Sequence, residues 1–299
     1  QDTMLLAEEA GRLSPLAERG EYAVYVFKGM QSPHLLQEIG RLREMTFRMS
    51  GEGTGRATDL DRFDNYYQHL FVWNREKQEI VGAYRSGRTD DIMRHYGKDG
   101  LYTSTLFKYS RKLLDKIGPA LELGRSFIRP EYQKNYSPLL LLWRGIGRIV
   151  AGNPRYKTLF GPVSINDEYN MLSKQLLMAF LKANNYIPEL ARLVKPRRPF
   201  MPGTTSGIDV QATSRVVRDI EDVSSLIAEI ESDHKGIPIL LRQYLKLGGR
   251  LIGFNIDPQF SNVMDGLILV DLTLTEQRML ERYMTKEGAE AFLVYHDVS

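Results

Sequence analysis

The chain has 299 residues, of which 42% are hydrophobic and 26% charged, a composition typical of a soluble globular protein that excludes a disordered or fibrous chain. It contains no cysteine, which excludes disulfide bonds, zinc ribbons, iron–sulfur clusters and a cysteine nucleophile. The formal net charge is +3, yet residues 1–100 carry −2, residues 101–200 carry +11 and residues 201–299 carry −6. The middle third is therefore basic, which indicates either an anionic partner or a solvated surface.

No stretch of the sequence is long and apolar enough to span a membrane. The longest strongly apolar runs, 139–143 and 267–270, are far shorter than the ~20 residues that a spanning helix needs. The first ten residues lack the basic region of a signal peptide. We therefore expect a cytoplasmic location, with which peripheral contact at the inner face of the membrane is compatible.

The predicted elements alternate between strands and helices along the chain. Residues 21–28 are rich in β-branched and aromatic side chains and predict a strand, and Ser32 and Pro33 mark the start of a helix to Met49. The further elements are a glycine-rich loop at 51–58, a turn or short helix at 59–67, strands at 69–73, 79–84 and 121–128, a helix at 137–150, a strand at 157–164, a helix from 166 or 167 to 184, an irregular segment at 186–213, helices at 220–231 and 238–247, strands at 250–256 and 266–272, a helix at 275–284 and a tail. This order predicts a mixed α/β (α+β) fold with one central sheet flanked by helices.

The segment from Leu121 to Pro154 predicts a strand, a polar loop and a helix with a clear N-terminus. A helix start offers unpaired N–H groups and the positive end of a dipole, so it favours a phosphate. Arg129, Lys134, Arg144 and Arg148 add positive charge near it. An ordinary crossover with a solvated loop explains the same pattern, so both interpretations stay open.

Two charged residues, Glu122 and Arg125, interrupt this otherwise apolar strand. Strand alternation places Glu122 on one face of the sheet and Arg125 on the other. Buried charges need partners, so each belongs either to a structural ion pair or to a functional site.

The first half of the chain supplies partners for these two charges. They are Arg43 and Phe47, four residues apart on a predicted helix, the acidic residues Asp59, Asp61 and Asp64, and Arg85 at the end of a strand. Ordinary salt bridges would explain this set as well. His69 is expected to pack in the core, and no cluster of His, Asp and Glu has metal-ligand spacing, so no metal is predicted.

Several segments in this order resemble one enzyme family. The run from Arg43 to Phe47, the GEGTG loop, DLDRFDNYYQHLFVW, IVGAYR and LELGRSFI are similar to the GNAT superfamily of N-acyltransferases. Within it they resemble the bacterial branch of ornithine-lipid and related N-acyl amino acid synthases, often labelled hemolysin-like. The acyl-homoserine lactone synthases are similar at a greater distance. The predicted domains are an N-terminal extension at 1–20, one GNAT-like domain at 21–285 with an irregular and helical insertion at 185–249, and a tail at 286–299.

The resemblance implies a fold whose fourth and fifth strands, 121–128 and 157–164, splay apart around the pantetheine arm of an acyl thioester. It implies direct attack of an amine on that thioester without a covalent enzyme intermediate. Glu122 is then the general base, and a backbone N–H at Phe127 or Ile128 stabilises the oxyanion. The residues implied to bind or shape the acceptor site are Arg43, Phe47, Asp61, Asp64, Arg85 and Arg125. Phe107 also matches the pattern of the acyl-homoserine lactone synthases.

The loop before the second long helix departs from the family pattern. Residues 133–137 contain no glycine, so side chains would crowd the pyrophosphate of coenzyme A. The loop suits the single phosphate of the phosphopantetheine on acyl carrier protein, an acidic partner that the basic middle third would attract. The residues expected to bind the donor are Arg129, Gln133, Lys134, Asn135, Tyr136 and Ser137.

The favoured hypothesis is an N-acyltransferase that moves a long, 3-hydroxylated or plain acyl chain from acyl carrier protein, or less favourably from acyl-CoA, to an amino acid such as ornithine or glycine in lipid biosynthesis. No tightly bound cofactor and no nucleic acid are expected, and the resemblance implies fusion to, or pairing with, a lysophospholipid acyltransferase. The alternative is a non-catalytic module that binds acyl chains or membrane lipid and regulates such an acyltransferase. The basic segment KPRRPF at 195–200 motivates that alternative.

Overall fold

The structure is a computed structural model that describes residues 3–201 and 219–298. The chain forms two compact units by backbone contacts. Within the described residues, the first comprises 3–102, 118–159 and 272–298, and the second comprises 103–117, 160–201 and 219–271. The predicted extent of a single domain, 21–285, stays a prediction.

The first unit contains a sheet of five strands in the order β1-β2-β3-β4-β6, and every neighbouring pair in it is antiparallel. The strands are β1 (Ala17–Arg19), β2 (Tyr22–Lys28), β3 (Gln68–Asn74), β4 (Glu79–Arg88) and β6 (Ala120–Ile128). β3 and β4 are buried along nearly their whole length, as expected for central strands covered on both faces.

Two long helices cover the two faces of this sheet. α2 (Pro33–Met49) buries an apolar stripe and contacts β4 and β6, and α5 (Ser137–Ala151) contacts β2, β3 and β4. Gly145 allows α5 to approach closely, because a Cβ there would lie 2.7 Å from a methyl group of Val24. The other helices of this unit are α1 (Thr3–Gly11), α3 (Thr89–Tyr96), α10 (Gln277–Met284) and α11 (Lys286–Tyr295).

The second unit contains strands in the order β7-β10-β9 and a separate antiparallel pair, β5 with β8. These strands are β5 (Phe107–Tyr109), β7 (Thr158–Ile165), β8 (Val194–Pro196), β9 (Arg250–Asp257) and β10 (Val263–Asp271). Its helices in the described residues are α4 (Arg111–Ile117), α6 (Met171–Asn184), α7 (Pro188–Ala191), α8 (Ile220–Ile230) and α9 (Ile239–Lys246).

The mixed α/β fold class is confirmed, and the long periodic elements lie within a few residues of their predicted bounds. The predicted tail is wrong in part, because residues 286–295 form α11, whose Ala289 and Phe292 are buried. The segment predicted as irregular at 186–213 contains α7 and β8, and its residues 202–213 lie outside the described residues. Across the described ranges no helix combines the length and the apolar character needed to cross a bilayer.

Candidate active site

A β-bulge in β6 determines on which face of the sheet the side chains of Glu122 and Arg125 lie. Ala83 pairs with Phe127 and Arg85 pairs with Gly124, so Arg125 and Ser126 together face the single residue Tyr84. Arg125 takes a φ of 49°, in the left-handed region that non-glycine residues rarely adopt. Strict alternation predicts opposite faces for Glu122 and Arg125, and that prediction is wrong because the extra residue of the bulge reverses the alternation.

Glu122 and Arg125 consequently reach the same residue, Tyr102. The backbone N–H of Tyr102 donates to Oε2 of Glu122 at 3.1 Å, and the guanidinium carbon of Arg125 lies 5.1 Å from the centre of the Tyr102 ring. Tyr67 also donates its hydroxyl hydrogen bond to Oε2 of Glu122. Glu122 is 1% exposed, so its carboxylate lies in a buried pocket of polar partners.

Arg43 of α2 anchors a buried ion-pair network next to this strand. Its two terminal nitrogens donate to the two carboxylate oxygens of Asp64 at 3.2 and 3.0 Å, which is the fork geometry that favours arginine. Its Nε lies 2.9 Å from Oδ2 of Asp59, and the same Oδ2 lies 3.4 Å from Nε of Arg125. Asp59 therefore links the α2 arginine to the arginine of the bulge.

Arg85 of β4 extends the network to the third aspartate. Its Nη1 donates to Oδ1 of Asp61 at 2.7 Å and to Oδ1 of Asp64 at 3.1 Å. The guanidinium carbon lies between 4.9 and 5.7 Å from the ring centres of Phe63, Tyr67 and Tyr102. Three aromatic faces and two carboxylates thus surround one buried cation.

The turn at residues 59–67 brings the three aspartates together. Oδ1 of Asp61 accepts from the N–H of Phe63, and Oδ2 of Asp64 accepts from the N–H of Asp61, so the two carboxylates cap the short 3₁₀ helix Arg62–Asn65. The N–H of Asp59 donates to the carbonyl of Gly40, which ties the turn to α2. The sequence DLDRFD therefore folds into a turn whose own backbone N–H groups fix the carboxylates of Asp61 and Asp64.

The network controls the protonation of its members. Burial alone would raise the pKa of Asp64, but the positive charges of Arg85 and Arg43 hold that pKa well below its usual range. Burial would lower the pKa of Arg85, but Asp64 and Asp61 keep it raised. His69 stacks on Phe27 in the core, as predicted, and burial lowers its pKa to about 4 despite the attraction of Asp64. The site therefore holds the charged carboxylate of Asp64 beside a neutral histidine at neutral pH.

After the bulge, one backbone N–H group of β6 points away from β4. Arg129 donates its N–H to the carbonyl of Val81, so in the alternating antiparallel pattern Phe127 points its N–H toward β4 and Ile128 points its N–H away. The side chain of Gln133 donates to the carbonyl of Ile128 at 2.8 Å, which places that carbonyl on the same outer side. Of the two amides predicted to stabilise an oxyanion, Ile128 has the outward orientation.

The residues predicted to bind the acyl donor differ in what their side chains contact and in how exposed they are. Arg129 is turned toward Glu79 and Glu131, at 2.6 and 3.3 Å, rather than into the loop. Asn135 accepts the N–H of Ser137 at 2.9 Å, and Pro138 has no N–H, so two early positions of α5 have no free donor to offer a phosphate. Lys134 is exposed, and the guanidinium of Arg282 lies 6.0 Å from the ring centre of Tyr136, which is also exposed. Positive charge is therefore present at this helix end, in Lys134 and Arg282.

The structure joins the charged members of the predicted acceptor set in one network of ion pairs. Phe47 is a buried residue of α2, and Phe107 lies in β5 of the second unit. Sequence reasoning missed Tyr67 and Tyr102, which hold Glu122 from positions 55 and 20 residues away along the chain. No local signal links these positions. In the part of the chain that the structure describes, no group of three His, Cys, Asp or Glu is arranged to hold a metal.

A cavity lies at the ends of β3 and β4, next to α3. Its lining includes Lys28, Tyr66, Gln68, Ser86 and Arg88. Gly87, which also lines it, pairs in register with Glu122 of β6. One wall of the cavity is therefore formed by the β4 residue that pairs with Glu122, the residue with the buried carboxylate.

Comparison with known proteins supports an acyltransferase. The model of the acetyltransferase (GNAT) domain matches residues 42–143. A glycine N(alpha)-acyltransferase of Phocaeicola vulgatus is 32% identical over 267 residues, covering 83% of this chain and 79% of the relative. A glycine N(alpha)-acyltransferase of Bacteroides thetaiotaomicron is 32% identical over 281 residues, covering 88% of this chain and 82% of the relative.

Two further likenesses are weaker. An L-ornithine N(alpha)-acyltransferase of Brucella abortus is 27% identical over 269 residues, covering 85% of this chain and 86% of the relative. The crystal structure of the acyl-homoserine lactone synthase LasI aligns with a TM-score of 0.34 and 15% identity over 54% of this chain and 79% of that chain. That structural likeness is too slight to place any residue of one chain on the other.

Proposed function

Because the chain belongs to the GNAT family of N-acyltransferases that includes the glycine N(alpha)-acyltransferases, we propose that it transfers an acyl group from acyl carrier protein to the α-amine of an amino acid. The chain is an enzyme that uses an acyl donor and an amine acceptor. The proposal adds the donor, an acyl group that is long and plain or 3-hydroxylated, and a product that is an N-acyl amino acid of lipid biosynthesis. The alternative of a non-catalytic lipid-binding module loses its support, since the family consists of acyltransferases.

The observation that carries the proposal is the placement of Glu122 and Arg125 by the bulge. A buried carboxylate beside buried arginines, on the strand whose following amide at Ile128 points outward, provides a base and an oxyanion donor on one short segment. In a regular strand without the bulge, the side chains of Glu122 and Arg125 would lie on opposite faces of the sheet. This arrangement of base, arginine and outward amide supports the proposal of direct aminolysis.

The proposed reaction has one bond-making and one bond-breaking event. The neutral amine attacks the thioester carbonyl carbon, and the N–H of Ile128 stabilises the negative charge on the carbonyl oxygen. Glu122 accepts the proton that the attacking nitrogen loses. The C–S bond then breaks and the thiolate takes up a proton, so the products are an amide and the free thiol of the carrier.

The ion-pair network gives Arg43, Arg85 and Asp64 a supporting role in this scheme. Arg43 and Arg85 are 1% and 2% exposed and already engage aspartates, so they shape the acceptor site rather than reach for substrate. Arg125 also lies 3.4 Å from Oδ2 of Asp59, but at 12% side-chain exposure it is the most accessible arginine of the three. We therefore assign the acceptor carboxylate to Arg125.

Glycine is the acceptor that we propose first, and ornithine is the second. The two relatives at 32% identity carry the glycine name, whereas the ornithine relative is 27% identical. A site in which the base is 1% exposed also favours the amino acid with no side chain. Pairing with a lysophospholipid acyltransferase and peripheral membrane contact stay predictions.

The donor assignment is supported by the loop before α5. It has no glycine from 133 to 137, two early helix positions lack free N–H donors, and Lys134 is exposed. Such a loop suits one phosphate and an acidic protein surface better than the pyrophosphate of coenzyme A.

Thiol release from purified acyl carrier protein loaded with palmitoyl or 3-hydroxypalmitoyl chains tests the function, with glycine or ornithine as acceptor and mass spectrometry of the product. Palmitoyl-CoA serves as the competing donor. Transfer to neither amino acid from either donor would contradict the activity, and transfer from coenzyme A alone would contradict the donor assignment.

Two variants test the assignment of the base. Glu122→Gln is expected to lower kcat by about 10²- to 10⁴-fold, the usual contribution of general-base catalysis. Glu131→Gln is the control, because the carboxylate of Glu131 is 57% exposed. Within the described residues its one ion-pair partner is Arg129. Equal rates for the wild type and Glu122→Gln would remove Glu122 as the base.

A further inference from the structure

The hydroxyl of Tyr67 lies at the centre of the partners of Glu122. It donates to Oε2 of Glu122 and accepts from the N–H of Tyr102 at 2.9 Å. The carbonyl of Gly100 lies 3.5 Å from the same hydroxyl, at the limit of hydrogen-bond distance and farther than Oε2 of Glu122, and it also accepts from the hydroxyl of Tyr66 at 2.8 Å. A hydroxyl has one proton, so Tyr67 directs it to Glu122.

The hydroxyl of Tyr67 stays protonated at neutral pH. Burial raises the pKa of Tyr67, and the negative charge of Glu122 raises it further. The group therefore acts as a fixed donor to the carboxylate and does not exchange its proton with the reacting amine.

The ring of Tyr67 is held on three sides. Phe63 meets it edge-on with ring centres 6.0 Å apart, and the guanidinium of Arg85 lies 5.3 Å from its centre. Gly87 packs directly against it, because a Cβ at this glycine would lie 2.4 Å from Cε1 of Tyr67. The donor therefore has a single position relative to β6.

We infer that Tyr67 is a positioning residue, which orients the carboxylate of Glu122 for proton transfer through a hydrogen bond to Oε2 from a ring locked by Phe63 and Gly87. The inference rests on the proposed role of Glu122 as base. Because Tyr67 acts through Glu122 in this scheme, its loss is expected to affect the proton-transfer step rather than substrate binding.

Tyr67→Phe removes only the hydroxyl and retains the ring contacts. It is expected to lower kcat about tenfold while KM for glycine and for the acyl donor changes less than twofold. Tyr156→Phe is the matched control: its buried hydroxyl also donates to a carboxylate, Oδ1 of Asp90 at 2.9 Å, and kcat is expected to stay within twofold of the wild type.

A double-mutant cycle separates positioning from a structural role. If Tyr67 acts through the carboxylate, Tyr67→Phe costs little further activity in the Glu122→Gln background. The same tenfold loss in both backgrounds, a rise in KM instead of a fall in kcat, or an unfolded Tyr67→Phe would each overturn the inference. A wild-type rate for Glu122→Gln would instead refute the base, whereas a slow Glu122→Gln with a fast Tyr67→Phe would refute the role of Tyr67 alone.

Discussion

Glu122 and Arg125 are three residues apart on one strand, yet both contact Tyr102, one through its backbone N–H and the other over its ring. The bulge at Arg125, with its φ of 49°, makes this possible by adding one residue to β6 opposite Tyr84. A carboxylate and a guanidinium that alternation would separate are thereby brought to one site. The candidate active site is in this sense a product of one backbone irregularity.

The buried fork between Arg43 and Asp64 is expected to stabilise the fold. Arg43→Lys retains the charge but loses the two parallel hydrogen bonds, so the free energy of unfolding should fall by about 3 kcal/mol. Arg41→Lys on the same helix is the control, because Arg41 is 48% exposed, and it should change stability by less than about 0.5 kcal/mol. Urea unfolding followed by circular dichroism measures both, and equal effects would contradict the importance of the fork.

The lack of a side chain at Gly82 is expected to be necessary for the geometry of the bulge. A Cβ at this position would lie 2.6 Å from the carbonyl oxygen of Phe127 and 2.5 Å from a methyl carbon of Ile128. Gly82→Ala should therefore displace the segment that carries the outward amide, destabilise the fold by about 1–3 kcal/mol and lower kcat at least tenfold. Gly124→Ala, where a Cβ would meet nothing within 4 Å, is the control on the paired strand. An active Gly82→Ala enzyme would argue against a strict need for this register.

Lys134 is expected to contribute to recognition of an acidic carrier protein. Lys134→Glu should lower kcat/KM with acyl carrier protein about tenfold and leave kcat/KM with free acyl-phosphopantetheine unchanged, because only the protein donor carries the acidic surface. Lys98→Glu, at another exposed lysine of the first unit, is the control. The loss should shrink in 0.5 M salt, since screening weakens attraction between exposed charges. A loss shared by both donors would point to the phosphate instead of the carrier surface.

His69 is expected to make the fold sensitive to mild acid. Its pKa falls to about 4 in the folded state because burial disfavours the charged ring, whereas the unfolded chain takes up a proton near pH 6.5. The free energy of unfolding should therefore decrease by about 3 kcal/mol as the pH falls from 6.5 to 4.

His69→Gln tests this origin of the acid sensitivity. The ring donates through Nε2 to the carbonyl of Asp64 at 3.0 Å, and glutamine offers a donor that does not titrate. The slope of unfolding free energy against pH between 4 and 6.5 should become shallower in His69→Gln. His95→Gln, on the exposed face of α3, should leave the slope unchanged. An unaltered slope in His69→Gln would assign the acid sensitivity to other groups.

Much of the fold was predictable from the sequence because its long elements have a clear period and clear ends. The prolines Pro33 and Pro138 lie in the first turns of the two long helices, as predicted, and the apolar runs identify β3 and β6 as strands. α3 was missed although it carries acidic residues at its start, Arg94 and His95 at its end and Gly97 after it. These capping signals were present, but eight residues with few apolar positions show no strong helical period.

The sequence by itself determined the chemistry that this protein has available: no cysteine, a basic middle third, and the residues Arg43, Asp64, Arg85, Glu122 and Arg125 in the order of a known family. Only the tertiary structure decided which of them meet. The bulge that turns Arg125 toward Tyr102 depends on the register between β4 and β6. The contact between Tyr67 and Glu122, which are 55 residues apart in the chain, depends on the close packing of Tyr67 against Gly87. Register and packing are properties of contacts between distant segments, so no local pattern of residues could have specified them.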